Sequence, residues 1–153
     1  MKQPELGGSE AHAAVEEGKV SGRVVLTVLG EERIGFEASF RASAALAAWM
    51  REQGVTKGDR VAIAMRNYPE WVVAYWAALS LGAAAVGMNA WWTGTEMNYG
   101  LSDSRPKVLI ADDERLERVL PELDALRADF PLPLIAVRSD RDLPADAVRW
   151  SDV

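Results

Sequence analysis

The sequence predicts an α/β fold, a mostly parallel sheet flanked by helices and preceded by a β-hairpin. Three observations carry that prediction. From Arg60 onward, short apolar runs that suit strands alternate with longer runs patterned for helices. The strand candidates are nearly free of charge, as expected where helices cover both faces of a parallel sheet. The connections are short and marked by glycine, proline or aspartate.

Taken in order, residues 1–20 are polar and read as a loosely held arm or short helix. Residues 21–153 read as one unit, with hairpin and helix over 24–53 and the α/β sheet region over 59–137. The stretch VVLTVLG-EE-RIGF predicts the hairpin, with Gly30, Glu31 and Glu32 at its turn. Phe36, Phe40, Ala44, Ala47 and Met50 then form an apolar helical stripe that stops at Gly54. A turn over 56–59 leads into a strand over 60–65.

Pro69 suits a first helical turn because it has no amide hydrogen to leave unpaired. Val72, Trp76, Leu79 and Ser80 follow at helical spacing, with Val73 and Ala77 widening the face. Gly82 ends that helix, and AAAVGM is expected to be a strand covered on both faces, closed by Asn89. Thr93 and Glu96 have capping-box spacing and open a short helix through Met97 and Leu101. A strand over 107–111 follows. Leu116, Val119, Leu120, Leu123 and Leu126 mark a helix kinked or divided at Pro121. Pro131 and Pro133 bracket the way into a last strand over 134–137, and the tail from Arg138 is charged and turn-rich.

Composition excludes several classes of function. Of 153 residues, 49% are hydrophobic and 26% charged, the balance of a globular domain able to bury a core without disulfides or metal. The net charge is −6 and the 17 basic residues are scattered, which argues against nucleic acid or an anionic membrane as a partner. There is no cysteine, so disulfides, thiolate metal sites and a cysteine nucleophile are excluded. The one histidine, His12, lies in the polar arm and reads as solvated. Lys2 is followed by Glu5, Ser9 and Glu10 rather than an apolar run, unlike a secretory signal, and the expected location is cytoplasmic.

The 25 residues from 71 through 95 carry no charge and have tryptophans near both ends. Their length would permit a membrane span. Ala and Gly dominate the run, however, and Glu70 and Glu96 flank it with no basic cluster on either side. Gly82 divides it into helix and strand. No membrane span is predicted.

Chemistry is harder to find. Neither a G-x-G-x-x-G fingerprint nor a G-x-x-x-x-G-K-[ST] loop is present, and no serine sits in a G-x-S-x-G elbow. Asp112, Asp113 and Glu114 could attract a divalent ion, but they read better as an acidic helix start favoured by the macrodipole. No catalytic, cofactor-binding or metal-ligating residue is assigned. Asn89, Trp91 and Trp92 are the candidates for pocket or interface contact; the tryptophans could wall an apolar ligand pocket, stack on another domain or pack as a lid over the sheet's edge.

Three stretches together carry a resemblance. GFEASFRASAALAAWM resembles an early T-Y-x-E-L helix, with Phe36 at the aromatic position and Glu37 one step later. The run from Gly54 to Asn89 follows G-V-x-x-G-D-x-V-A-I, then N-x-P-E, a helix and G-A before a final Asn; here these are Gly58, Asp59, Asn67, Pro69, Glu70, Gly82 and Ala83. TGTEMNYGLSDSRPKVLIAD resembles a capped helix leading to a D-S-x-x-K-V-L-I strand. In these features the chain is similar to the N-terminal domain of the AMP-forming acyl-CoA synthetases, within the adenylate-forming ligase superfamily. Trp91 and Trp92 stand where many relatives have a proline or basic residue, and Ala38 and Ser39 replace the usual E-L.

The resemblance implies a two-step ligase using ATP, magnesium and coenzyme A, which adenylates a carboxylic acid, fatty by the resemblance, and transfers the acyl group to the thiol. The phosphate loop, the adenine and magnesium motif, the hinge and the C-terminal lysine of that family have no match here. The expectation is a scaffold fragment, inactive alone and binding no cofactor, whose partner is the remainder of the ligase chain. The alternatives are a stand-alone interaction module, its open edges covered by self-association as a homo-oligomer, and a small free-standing nucleotide or coenzyme binder.

Overall fold

A computed structural model describes residues 25–27 and 33–153. The predicted arm and the turn at Gly30, Glu31 and Glu32 lie outside the described residues. The two hairpin strands do not: β1 (Val25–Thr27) pairs antiparallel with β2 (Arg33–Gly35). Helix α1 (Phe36–Glu52) follows directly, and Gly54, at φ 83°, provides the left-handed turn that ends it.

The main sheet has five strands, all parallel, in the order β4–β3–β5–β6–β7. They are β3 (Arg60–Ala64), β4 (Ala84–Gly87), β5 (Val108–Asp112), β6 (Leu134–Val137) and β7 (Val148–Arg149). Helix α2 (Pro69–Ser80) joins β3 to β4, and α3 (Gly94–Ser104) joins β4 to β5. Helices α4 (Asp113–Val119) and α5 (Leu123–Asp129), divided by a 3-10 turn at Leu120–Glu122, join β5 to β6. The division falls at Pro121, as the missing amide of proline requires.

Strand alternation builds two cores. Val61, Ile63, Val108, Ile110, Ile135 and Val137 face α1 and α2. Ala62, Ala64, Leu109, Ala111, Leu134 and Ala136 face α3, α4 and α5. The alanines on this second face leave room for Met97, Leu101, Leu116 and Leu123, all buried.

Four expectations need correction. The buried face of α1 is Ser43, Leu46, Ala47 and Met50, whereas Phe36 and Phe40 are 52% and 75% exposed. Both phenylalanines continue the stripe of Ala47 and Met50 at helical spacing, so the spacing alone does not show which turns are covered. In α2 the buried residues are Val73, Ala74, Ala77 and Ala78, while Trp76 points outward at 56% exposure. The small side chains let α2 approach α1 and the sheet closely; in a helix apolar all round, spacing alone does not reveal which face does so. β4 is an edge strand with Ala84 and Gly87 exposed, not a strand covered on both faces. Small uncharged residues read alike in either place. The sheet also continues beyond 137, because the charged tail returns to place Val148 and Arg149 beside β6.

Among the described residues no helix is long and apolar enough to cross a membrane. The uncharged run is α2, a turn at Gly82 (φ 71°) and β4, as its punctuation indicates.

Candidate functional site

The chain leaves β3 toward β4 on one side and then returns past β3 to β5 on the other. The carboxyl ends of β3 and β5 therefore flank the topological switch point, the place where open α/β sheets usually bind ligands. The elements meeting there are the residues after β3, the loop 89–92 after β4, and the start of α4.

Asp112, the last residue of β5, caps α4: its Oδ1 accepts from the backbone N–H of Arg115 at 3.1 Å. Its Oδ2 accepts from the backbone N–H of Arg66 at 3.0 Å, which ties the segment after β3 to the same carboxylate. The Arg115 side chain turns back over this pair. Its Nη1 donates to Asp112 Oδ2 at 3.1 Å and to Glu114 Oε2 at 2.9 Å. Its Nε donates to the carbonyl of Ala90 at 3.0 Å, and Nη2 donates to the same oxygen. The Arg115 and Asp112 side chains are 1% and 4% exposed, so this is a buried ion pair with its remaining donors satisfied by backbone. Arg118 adds bonds to the carbonyls of Ala90 (3.1 Å) and Trp92 (2.7 Å) and to Glu114 (2.6 Å).

These two guanidiniums clamp the loop that holds all three residues singled out from sequence. Asn89 is exposed and closes a small turn, its Oδ1 accepting from the N–H of Trp91 at 2.9 Å. Trp91 projects into solvent at 77% exposure, with the Arg66 guanidinium 5.6 Å from its ring centroid. Trp92 turns inward and packs on α3, so close to Gly100 that a Cβ there would lie 2.8 Å from the indole Cζ3. The neighbouring tryptophans therefore differ: Trp92 is lid packing, and Trp91 is an open surface ring. The next turn closes with the predicted capping box, Thr93 N–H to Glu96 at 2.8 Å and Glu96 N–H to Thr93 Oγ1 at 3.4 Å.

Sequence reading missed the arginines. The spacings Asp112 to Arg115 and Glu114 to Arg118 are visible as helical ion pairs, but such pairs are usually solvated, and nothing local marks Arg115 as buried.

A second set of ion pairs extends the rim toward β6 and β7. Asp113 accepts from the Ser139 hydroxyl at 2.7 Å and from Arg141 at 2.8 Å. Glu70, at the start of α2, forms a two-pronged pair with Arg138 at 2.9 Å, and that guanidinium lies 4.3 Å from the Tyr68 ring centroid. An open cleft of about 380 Å³ lies here, lined by Glu70, Arg138, Ser139, Asp140, Arg149 and Trp150 among others.

The rim gives stability a pH dependence. The Ser139 hydroxyl, with Arg141, holds Asp113 below its ordinary 3.8, and the Arg66 guanidinium holds Glu114 below 4.5. Both folded values are depressed, so their contribution is present above the unfolded values and is lost as pH falls through the folded ones. The melting temperature is expected to be level from pH 7 to about 5 and to fall below that. Thermal denaturation followed by circular dichroism checks this; a melting temperature that rises on acidification would contradict it.

Gly54, Gly58 and Gly82 have positive φ in turns, while a Cβ at Gly94 or Gly100 would meet the Arg118 carbonyl or Trp92. Asp112, Asp113 and Glu114 are all engaged by arginine, and among the described residues no three His, Cys, Asp or Glu side chains group as a metal site.

Comparison with known proteins places this scaffold. The AMP-binding enzyme family profile matches residues 12–151, almost the whole sequence. The chain belongs to the AMP-binding enzyme family. It is 38% identical over 68 residues to a long-chain-fatty-acid–CoA ligase of Bacillus subtilis (strain 168), covering 44% of this chain and 12% of that protein. It is 37% identical over 99 residues to the 3-hydroxybenzoate–CoA/4-hydroxybenzoate–CoA ligase of Thauera aromatica, covering 65% of this chain and 18% of that protein. The fold matches the crystal structure of coronafacic acid ligase from Pectobacterium brasiliense with a TM-score of 0.71 at 20% identity, over 80% of this chain and 24% of that one. The chain thus spans less than a fifth of the curated relatives just described. The two curated relatives are CoA ligases by name.

Proposed function

We propose that these residues are the scaffold portion of an ATP-dependent acid–CoA ligase. In that reaction a carboxylate attacks the α-phosphate of ATP with loss of pyrophosphate. The acyl-adenylate is then captured by the thiol of coenzyme A, with magnesium accompanying the nucleotide. The remainder of the polypeptide supplies the phosphate loop and the catalytic lysine, and the enzyme works in the cytoplasm. The observation that carries the proposal is the family match over residues 12–151.

A fatty acid is the proposed substrate, supported by the match to the long-chain ligase of Bacillus subtilis. The match to the hydroxybenzoate ligase makes an aromatic acid the competitor to test against it. Acid-dependent exchange of labelled pyrophosphate into ATP is the assay. The 153-residue chain alone is expected to give no exchange with any acid. The intact gene product is expected to exchange with fatty acids and to form their CoA thioesters. Exchange by the short chain alone would overturn the scaffold reading, and exchange only with benzoates would overturn the substrate.

A second reading, an association module, is favoured by the open β4 edge and by the exposed Phe40 and Trp76. On that reading a second copy covers the edge and the aromatic residues.

A further inference from the structure

In open parallel sheets the crevice at the switch point is left to a ligand. Here a protein side chain stands in it. The Arg115 guanidinium is surrounded by Asp112 and Glu114 on one side and by the carbonyl of Ala90 on the other, with Arg118 beside it on the same carbonyl. Arg115 is 1% exposed, so the group is held as a bound cation would be, fully desolvated and bonded through all three nitrogens. The loop carbonyls face inward to meet it. That orientation turns the Trp91 ring outward and seats Trp92 on Gly100.

We infer that Arg115 is a built-in occupant of the switch-point crevice: its guanidinium takes the position that a ligand takes in comparable sheets and positions the Asn89–Trp92 loop. This inference is independent of the ligase reading. It means that the site is selective for a planar, fork-shaped cation. Lysine cannot replace it, because a single ammonium cannot bond Asp112, Glu114 and the Ala90 carbonyl from one plane.

The test is chemical rescue, read by amide hydrogen exchange. Three loop amides are bonded within the loop: Trp91 to Asn89 Oδ1, Trp92 to the Asn89 carbonyl and Thr93 to Glu96. In Arg115→Ala, Asp112 keeps two amide donors, from Arg66 and from residue 115 itself. The variant is therefore expected to keep its sheet while the three loop amides exchange at least about tenfold faster. Millimolar guanidinium chloride, far below denaturing levels, is expected to slow them again; urea or ammonium at the same concentration is not. Three results would overturn the inference: loop amides at wild-type rates, loop and strand amides accelerated together, or guanidinium no better than urea. Should Arg115→Ala fail to fold, Arg115→Lys decides. Accelerated loop amides on an intact sheet support the role of the fork, and unchanged loop amides or the loss of the sheet refute it.

Discussion

Asp112→Ala is expected to lower the stability of this chain by about 3–5 kcal/mol, because it strands a buried charge. The Arg115 side chain is 1% exposed and Asp112 is its buried carboxylate partner at 3.1 Å. Removing the carboxylate also leaves the amides of Arg66 and Arg115 without acceptors at the start of α4. A domain of this size has only about 5–15 kcal/mol in total, so the loss is a large share of it. Replacing both partners should behave differently. The double variant Asp112→Ala with Arg115→Met removes the stranded charge and fills its space with an apolar side chain, and is expected to recover most of the loss. Urea denaturation followed by circular dichroism measures all three proteins. A loss below about 1 kcal/mol in the single variant would show that the guanidinium is solvated and that the clamp is not closed.

Gly100→Ala is the second large effect. In an ordinary helix interior this change stabilises by up to about 1 kcal/mol. Here the new Cβ would lie 2.8 Å from Trp92 Cζ3 and 3.2 Å from Met88 Cε. The indole is rigid and its backbone is held through the Trp92 carbonyl by Arg118, so it has little freedom to move aside. Overpacking of this kind costs about 1–3 kcal/mol, which exceeds the gain in helix propensity. The net expectation is destabilisation, measured by urea denaturation. In a Trp92→Leu background the clash with the indole disappears and only the flexible Met88 Cε, at 3.2 Å, must shift, so the same glycine substitution should become neutral or stabilising. A Gly100→Ala protein more stable than the wild type would contradict the packing of Trp92 beneath the loop.

Much of the fold was legible because its signals are local. Pro69, Gly82, the Thr93–Glu96 box and Pro121 each mark a boundary through backbone chemistry that neighbours do not override. The alternation of apolar runs indicated the parallel sheet. The misread features depend on position in the finished fold. Phe40 continues the apolar stripe of α1 yet is 75% exposed, and Trp76 occupies the outer side of a helix that is apolar all round. β4 reads as an interior strand because an Ala-Val-Gly run carries no mark of an edge.

Of the candidate site, the loop was legible and the clamp was not. Asn89, Trp91 and Trp92 are conspicuous in sequence, and they stand together at the switch point. Arg115 is spaced like any surface arginine in an acidic helix start. Its burial follows from the return of the chain after β4, which brings the Ala90 carbonyl within 3.0 Å across 25 residues of sequence. The second strand of the missed rim, β7, arises in the same way: Arg149 is charged, yet its guanidinium bonds the carbonyls of Ser139 and Arg141 and so pins the tail against β6.

The central claim is that these residues are one part of a larger ligase. The most direct test is the mass of the native polypeptide in its source cells, by immunoblot with an antibody raised against this chain. A band several times heavier than 16.7 kDa is expected, because the chain spans 12–18% of these curated relatives. A single band at 16.7 kDa would contradict it, and the open β4 edge would then mark an association surface instead of an unfinished enzyme.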